Sequence, residues 1–120
     1  MHPVIAFLHE QARAVRQLEA DADQALHQEN DPDGYRDCLL EKVELLSSLP
    51  EDMEPLLEGL DPQMRQEAKT AVRQFARRAE QAMEVNSIFF MRQLLYSEDY
   101  QEGQPNNLER FISRLQSRPD

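Results

Sequence analysis

Two Asp-Pro pairs, Asp31-Pro32 and Asp61-Pro62, divide this chain into three long runs, and each run is spaced for a helix. Aspartate followed by proline is a strong helix start. The side-chain oxygen accepts free backbone N–H groups of the first turn, and proline has no N–H to leave unpaired there. Pro3 opens the first run in the same way. After Pro62 no proline or glycine occurs until Gly103. The third run is therefore expected to be one helix over residues 62–97, about 54 Å long at 1.5 Å per residue.

The apolar spacing supports these starts. Over 3–28, Val4, Leu8, Gln11, Val15, Leu18, Ala22 and Ala25 step alternately by four and three, and Ile5, Ala12 and Leu26 widen the stripe. That is the pattern of a bundle helix with one buried face. Gln11 is a polar guest, expected at the edge of the core. Over 32–49 the stripe is Tyr35, Leu39, Val43, Leu46 and Leu49, broadened by Leu40 and Leu45, and Pro50 is expected to end it or to start a short turn. Met53, Leu56, Leu57 and Leu60 form a small apolar cluster around Gly59. In the third run the seam reads Met64, Ala68, Ala71, Phe75, Ala79, Ala82, Asn86 and Phe89 or Phe90, with small alanines early and large residues late. After a polar stretch, Leu108, Phe111, Ile112 and Leu115 mark a short amphipathic helix over 107–116. Glycine is scarce, and the good helix formers Ala, Leu, Gln, Glu and Arg dominate. The fold expected is all-α: a single domain over 1–120, an elongated antiparallel helical bundle with coiled-coil-like seams, three main helices and a short C-terminal one.

Charge narrows the partners. The formal net charge is −10, and all of it lies in the first sixty residues, which hold 14 acids and 4 bases; the remainder is balanced at nine of each. Such a chain is repelled by a phosphate backbone and by anionic membrane surfaces, so nucleic acid is not an expected partner. The longest unbroken apolar run, Ile88 to Met91, is far too short to span a bilayer, so no membrane insertion is expected. No basic start followed by an apolar stretch opens the chain, and a cytoplasmic location is the expectation. Arg65, Lys69, Arg73 and Arg77 lie four apart, with Arg78 beside them. The leading reading of this basic row is charge complementarity with the acidic residues of the first two helices; capture of an acidic partner is the other.

Chemistry has few places to sit. Cys38 is the only cysteine and falls in a helical stripe beside Leu39 and Leu40, where it reads as a small hydrophobe. His2, His9 and His27 have no Glu-x-x-His spacing and no zinc-ligand spacing, so no metal and no cofactor is expected. Gln28-Glu29-Asn30 follows His27 and Glu10-Gln11-Ala12 follows His9, without the lysine and glycine that follow the histidine of phosphorelay domains. There is no phosphate-binding glycine loop and no nucleophile or zinc-protease motif. The chain is not expected to be an enzyme.

The stretch Val85-Asn86-Ser87-Ile88-Phe89-Phe90-Met91-Arg92-Gln93-Leu94-Leu95-Tyr96 stands apart. As a helix it would be apolar on nearly every side and would need neighbours on every side. Asn86, Ile88, Phe89, Phe90, Met91, Leu94, Leu95 and Tyr96 are the candidate partner-binding residues. The short helix at 107–116 is the simplest cover for them within the chain. An amphipathic helix of another protein is the alternative, received in a groove lined by Ile88, Phe89, Met91, Leu95 and Tyr96.

A long helix ends near Ala25-Leu26, a polar break holds Asp31, and a second helix carries Leu39-Leu40-x-Lys42-x-Glu44-Leu45-Leu46; later comes Asn86 followed by apolar residues. Over residues 10–96 this resembles the FlgN-type flagellar export chaperones. The chain departs from that pattern in the Pro50–Leu60 insertion with its two prolines, and in having one asparagine near position 86. The resemblance implies a small acidic cytoplasmic bacterial chaperone whose third helix binds the amphipathic terminal helices of exported subunits. The function expected is therefore non-enzymatic binding of a client helix, as an export-type chaperone or adaptor. Self-association into a structural homodimer is the alternative, and a phosphorelay domain the remote one.

Overall fold

Helix starts built from side-chain caps set the frame of the molecule, a computed structural model that describes residues 2–118. Helix α1 spans Pro3–His27, α2 Pro32–Met53, α3 Pro62–Glu84, α4 Ile88–Gln93 and α5 Asn107–Gln116, with a 3₁₀ turn at Glu54–Leu56. No strand occurs among the described residues. Asp31 accepts from the Gly34 N–H at 3.0 Å, and Asp61 accepts from the Gln63 and Met64 N–H groups at 3.1 and 3.2 Å. Both expected Asp-Pro caps are thus in place. A side chain at Gly34 would collide with the Asp31 carboxylate, so glycine lets that cap close.

The chain doubles back at each break. Glu19 of α1 meets Lys42 of α2, and His2 reaches the carbonyl of Glu58, so α1 and α2 run in opposite senses. Lys69 near the start of α3 pairs with Glu54 beyond the end of α2, and Arg36 near the start of α2 reaches Asn86 beyond the end of α3. Helix α5 returns to α1. One apolar core runs through all five helices, from Val4, Leu8, Val15 and Ala22 through Leu39, Val43, Leu46 and Leu49 to Ala68, Val72, Met91, Leu108 and Ile112. The molecule measures 48 × 29 × 24 Å.

Three expectations need correction. Pro50 does not end α2; the helix runs through it to Met53. The cost is a missing donor for the Leu46 carbonyl, and the fully buried Leu49 and Met53 hold the extra turn to the core. The helix expected over 62–97 stops at Glu84. Asn86 adopts φ +52°, the Asn86 N–H reaches the Met83 carbonyl at 3.0 Å and the Ser87 N–H reaches the Ala82 carbonyl at 3.2 Å. This is a Schellman stop with asparagine in the left-handed position. Ser87 then accepts from the Phe90 N–H at 3.1 Å and starts α4. Asn86 is therefore an exposed helix stop and not a polar guest in a buried seam. Finally, the basic row of α3 does not pair with α1 and α2 along its length. Lys69 pairs with Glu54 and Arg65 donates to the Leu60 carbonyl, while Arg73, Arg77 and Arg78 face solvent.

Candidate partner-binding surface

Stopping α3 at Asn86 re-aims everything that follows, and the eight candidate residues separate into three groups. Met91 is fully buried, and Leu94 and Leu95 nearly so, which makes them core and removes them from any surface groove. Ile88 and Tyr96 are half-buried, and Asn86 is exposed but occupied by Arg36, whose guanidinium donates to its side-chain oxygen at 2.9 Å. Phe89 and Phe90 stand out, 69% and 54% exposed, with ring centroids 6.1 Å apart. Met83 and Val85, just before the stop, are 39% and 60% exposed. Large apolar side chains rarely cluster on a surface without covering or being covered by something. Helix α5 does not provide that cover. It packs on α1, and its first N–H, from Asn107, reaches the Leu95 carbonyl at 2.8 Å.

Helix α4 has only six residues and would not hold by itself. Buried charge holds it. Lys42, fully buried on α2, donates to the carbonyls of Arg92 and Leu94 at 3.0 Å each and lies 2.8 Å from the Glu19 carboxylate. A cation on the last carbonyls of a helix satisfies groups that have no partner inside it. Glu19, 4% exposed, also accepts from the Tyr96 hydroxyl. Arg92 pairs with Asp23 at 3.1 Å and lies 3.7 Å from Glu19. Lys42, Arg16 and Arg92 surround the Tyr96 ring at 5.4, 5.8 and 5.8 Å from its centroid. Arg16 grips Glu109 of α5 at 2.6 Å, and Glu109 closes a capping box with Asn106. Leu95, at φ +79°, is forced into a backbone region that only glycine enters freely. The bonds to the carbonyls on either side of it, from Lys42 and Asn107, keep it there.

The electrostatics follow from burial. Desolvation pushes the Lys42 ammonium down to about 8, against the opposing pull of Glu19. Burial, and then the bond to Glu19, pushes the Tyr96 hydroxyl well above its ordinary value. The Glu109 carboxyl, which burial alone would raise, is held low by Arg16. The sequence contains two lysines, so the Lys42 value is open to measurement. In ¹³C-lysine spectra the Lys42 signal is expected to titrate with a midpoint near 8, with Lys69→Arg used to assign it. A midpoint above 10 would mean that Glu19, and not desolvation, governs the group.

The network is a closed set of charges. Each of its cations already has partners within the chain, and Lys42 has no access to solvent. Cys38 is half-buried, and burial followed by Asp21 and Glu41 pushes its thiol up, away from nucleophilic reactivity. Among the described residues no three His, Cys, Asp or Glu side chains gather as a metal ion would require. No helix of the described residues is long and apolar enough to cross a membrane. No family model matches this chain, and no curated protein and no solved structure does either.

Proposed function

We propose that this chain is a non-enzymatic protein-binding bundle, acting in the cytoplasm as an export-type chaperone or adaptor of the kind its sequence resembles. The elongated antiparallel frame is the scaffold, and the client is an amphipathic helix. The observation that carries this reading is the display of Phe89 and Phe90 on a short helix that buried charges pin from behind. Aromatic residues on a rigid mount lose little entropy on binding and serve as anchors. Beside Met83 a groove of about 470 Å³ between α2 and α3 is lined by Val43, Glu44, Ser47, Ser48, Glu80 and Glu84 as well. Its three glutamates favour a client whose apolar face is flanked by lysine or arginine.

The test uses the double variant Phe89→Glu/Phe90→Glu. Both positions are exposed, so the far-ultraviolet circular dichroism and melting midpoint are expected to match the wild type. Proteins captured by the tagged wild type from its source are identified and then titrated individually. The variant is expected to bind its client at least about tenfold more weakly, the loss of one or two aromatic anchors. Equal affinity for both forms would sink the reading. Light scattering on the same pair addresses self-association: a wild-type dimer that the double variant dissolves would assign the patch to a second copy instead.

A further inference from the structure

A second surface carries the opposite charge. Between α3 and α5 lies a groove of about 460 Å³ whose lining includes Ala71, Phe75, Arg78, Arg110 and Arg114. Three arginines stand on its rim and no carboxylate lines it, in a chain whose net charge is −10. All three arginines are exposed, and among the described residues none forms a salt bridge. Arg110 donates only to the Pro105 carbonyl at 3.2 Å, and the Arg114 guanidinium lies over the Phe111 ring at 5.6 Å. A fully exposed carboxylate, Asp99, feels Arg110 from outside the lining. The expectation of complementary pairing along α3 thus fails at Arg78, whose neighbours across the groove are two more guanidiniums.

Like charges gathered around one hollow repel each other, and a bound anion relieves that repulsion. We propose that this groove docks an acidic amphipathic peptide segment, with its carboxylates on Arg78, Arg110 and Arg114 and one or two apolar side chains on Phe75 and Ala71. Guanidinium groups suit this role because they receive a carboxylate through two parallel hydrogen bonds. The small apolar area of the groove selects a peptide over a lipid. Leu46, Leu94 and Leu95 are almost wholly covered by their neighbours, so the floor offers little apolar surface beyond Phe75 and Ala71. That accommodates a side chain or two and not the length of an acyl chain. The surface is separate from the Phe89–Phe90 patch, differs from it in charge preference, and stands whether or not that patch binds a client.

The probe is a fluorescein-labelled synthetic helical peptide with leucines on one face and glutamates flanking them. A matched peptide has lysine at each glutamate position. Fluorescence anisotropy is expected to show binding of the acidic peptide, weakening with added salt, and none of the basic one. The triple variant Arg78→Gln/Arg110→Gln/Arg114→Gln, altered only at exposed positions, is expected to bind the acidic peptide about tenfold more weakly with an unchanged melting curve. Phe89→Glu/Phe90→Glu is expected to bind it as the wild type does, which separates this surface from the other. Equal binding of the two peptides, or wild-type affinity in the triple variant, overturns the proposal. Complete displacement of the peptide by sub-millimolar decanoate also overturns it, in favour of an acyl ligand.

Discussion

Ending the chain at Gly103 is expected to abolish cooperative unfolding. Helix α5 looks like an appendix, ten residues after a long polar stretch. Its inner face says otherwise. Leu108, Phe111, Ile112 and Leu115 are between 0% and 3% exposed and belong to the same core as α1 to α4. Burying each such side chain contributes about 1.5–3 kcal/mol, so the four together contribute about 6–12 kcal/mol. The whole stability of a domain is commonly about 5–15 kcal/mol. Truncation also removes Glu109 from Arg16 and the Asn107 N–H from the Leu95 carbonyl, releasing the strained turn after α4. A thermal scan of the truncated chain is expected to slope without a sigmoid. The single variants Phe111→Ala and Leu108→Ala are expected to retain a sigmoid and to lose about 2–5 kcal/mol each in urea. A truncated chain melting at the wild-type midpoint would show that α5 is peripheral.

How much of this was legible in the sequence depends on the kind of signal. The Asp31 and Asp61 caps identify the starts of α2 and α3, and the apolar stripes the inner faces of α1, α2 and α5, because capping and period depend on neighbours in sequence. In α3 the stripe is shifted, with Val72 and Ala76 buried and Ala71 and Phe75 half-buried beside them. The break at Asn86 also has a local signal, asparagine followed by serine, a helix stop followed by a helix start. It was obscured by the apolar residues on either side, which suit one continuous helix. Apolar spacing in α1 points to Leu18, but the buried residue there is Glu19, which occupies the same stripe one position on. Lys42 shares the buried face of α2 with Leu39, Val43 and Leu46. A lone charge at such a position reads as surface, because burying it is unfavourable unless a partner arrives from elsewhere. Here the partners are Glu19 and the carbonyls at 92 and 94, more than twenty residues away in either direction, and no spacing rule links them. The mount for Phe89 and Phe90 was therefore invisible, while the aromatic residues themselves were plain.

Lys42→Met is expected to destabilise the protein by about 3–5 kcal/mol, the cost of removing one partner from a buried ion pair. Methionine fills a similar volume, so the loss is not one of packing. It leaves the Glu19 carboxylate in the core with only Arg92 at 3.7 Å and the Tyr96 hydroxyl, and it strips the donor from the Arg92 and Leu94 carbonyls. Burial of Lys42 is itself unfavourable, as its depressed pKa of about 8 records. Between that value and the ordinary 10.5 the folded chain holds fewer protons on this group than the unfolded chain, so its contribution to stability rises with pH across that window. The stability difference between wild type and Lys42→Met is therefore expected to widen from pH 8 to 10.5, which urea midpoints at matched pH will read. The double variant Lys42→Met/Glu19→Leu is expected to recover part of the loss, because it removes the stranded charge, but not the part owed to the two carbonyls. Amide exchange should place that residue of damage at α4, with faster exchange at Met91 and Leu94, whose N–H groups bond within and just beyond that helix. A double variant as unstable as Lys42→Met alone, with α4 protected as in the wild type, would show that Lys42 does not hold the mount in place.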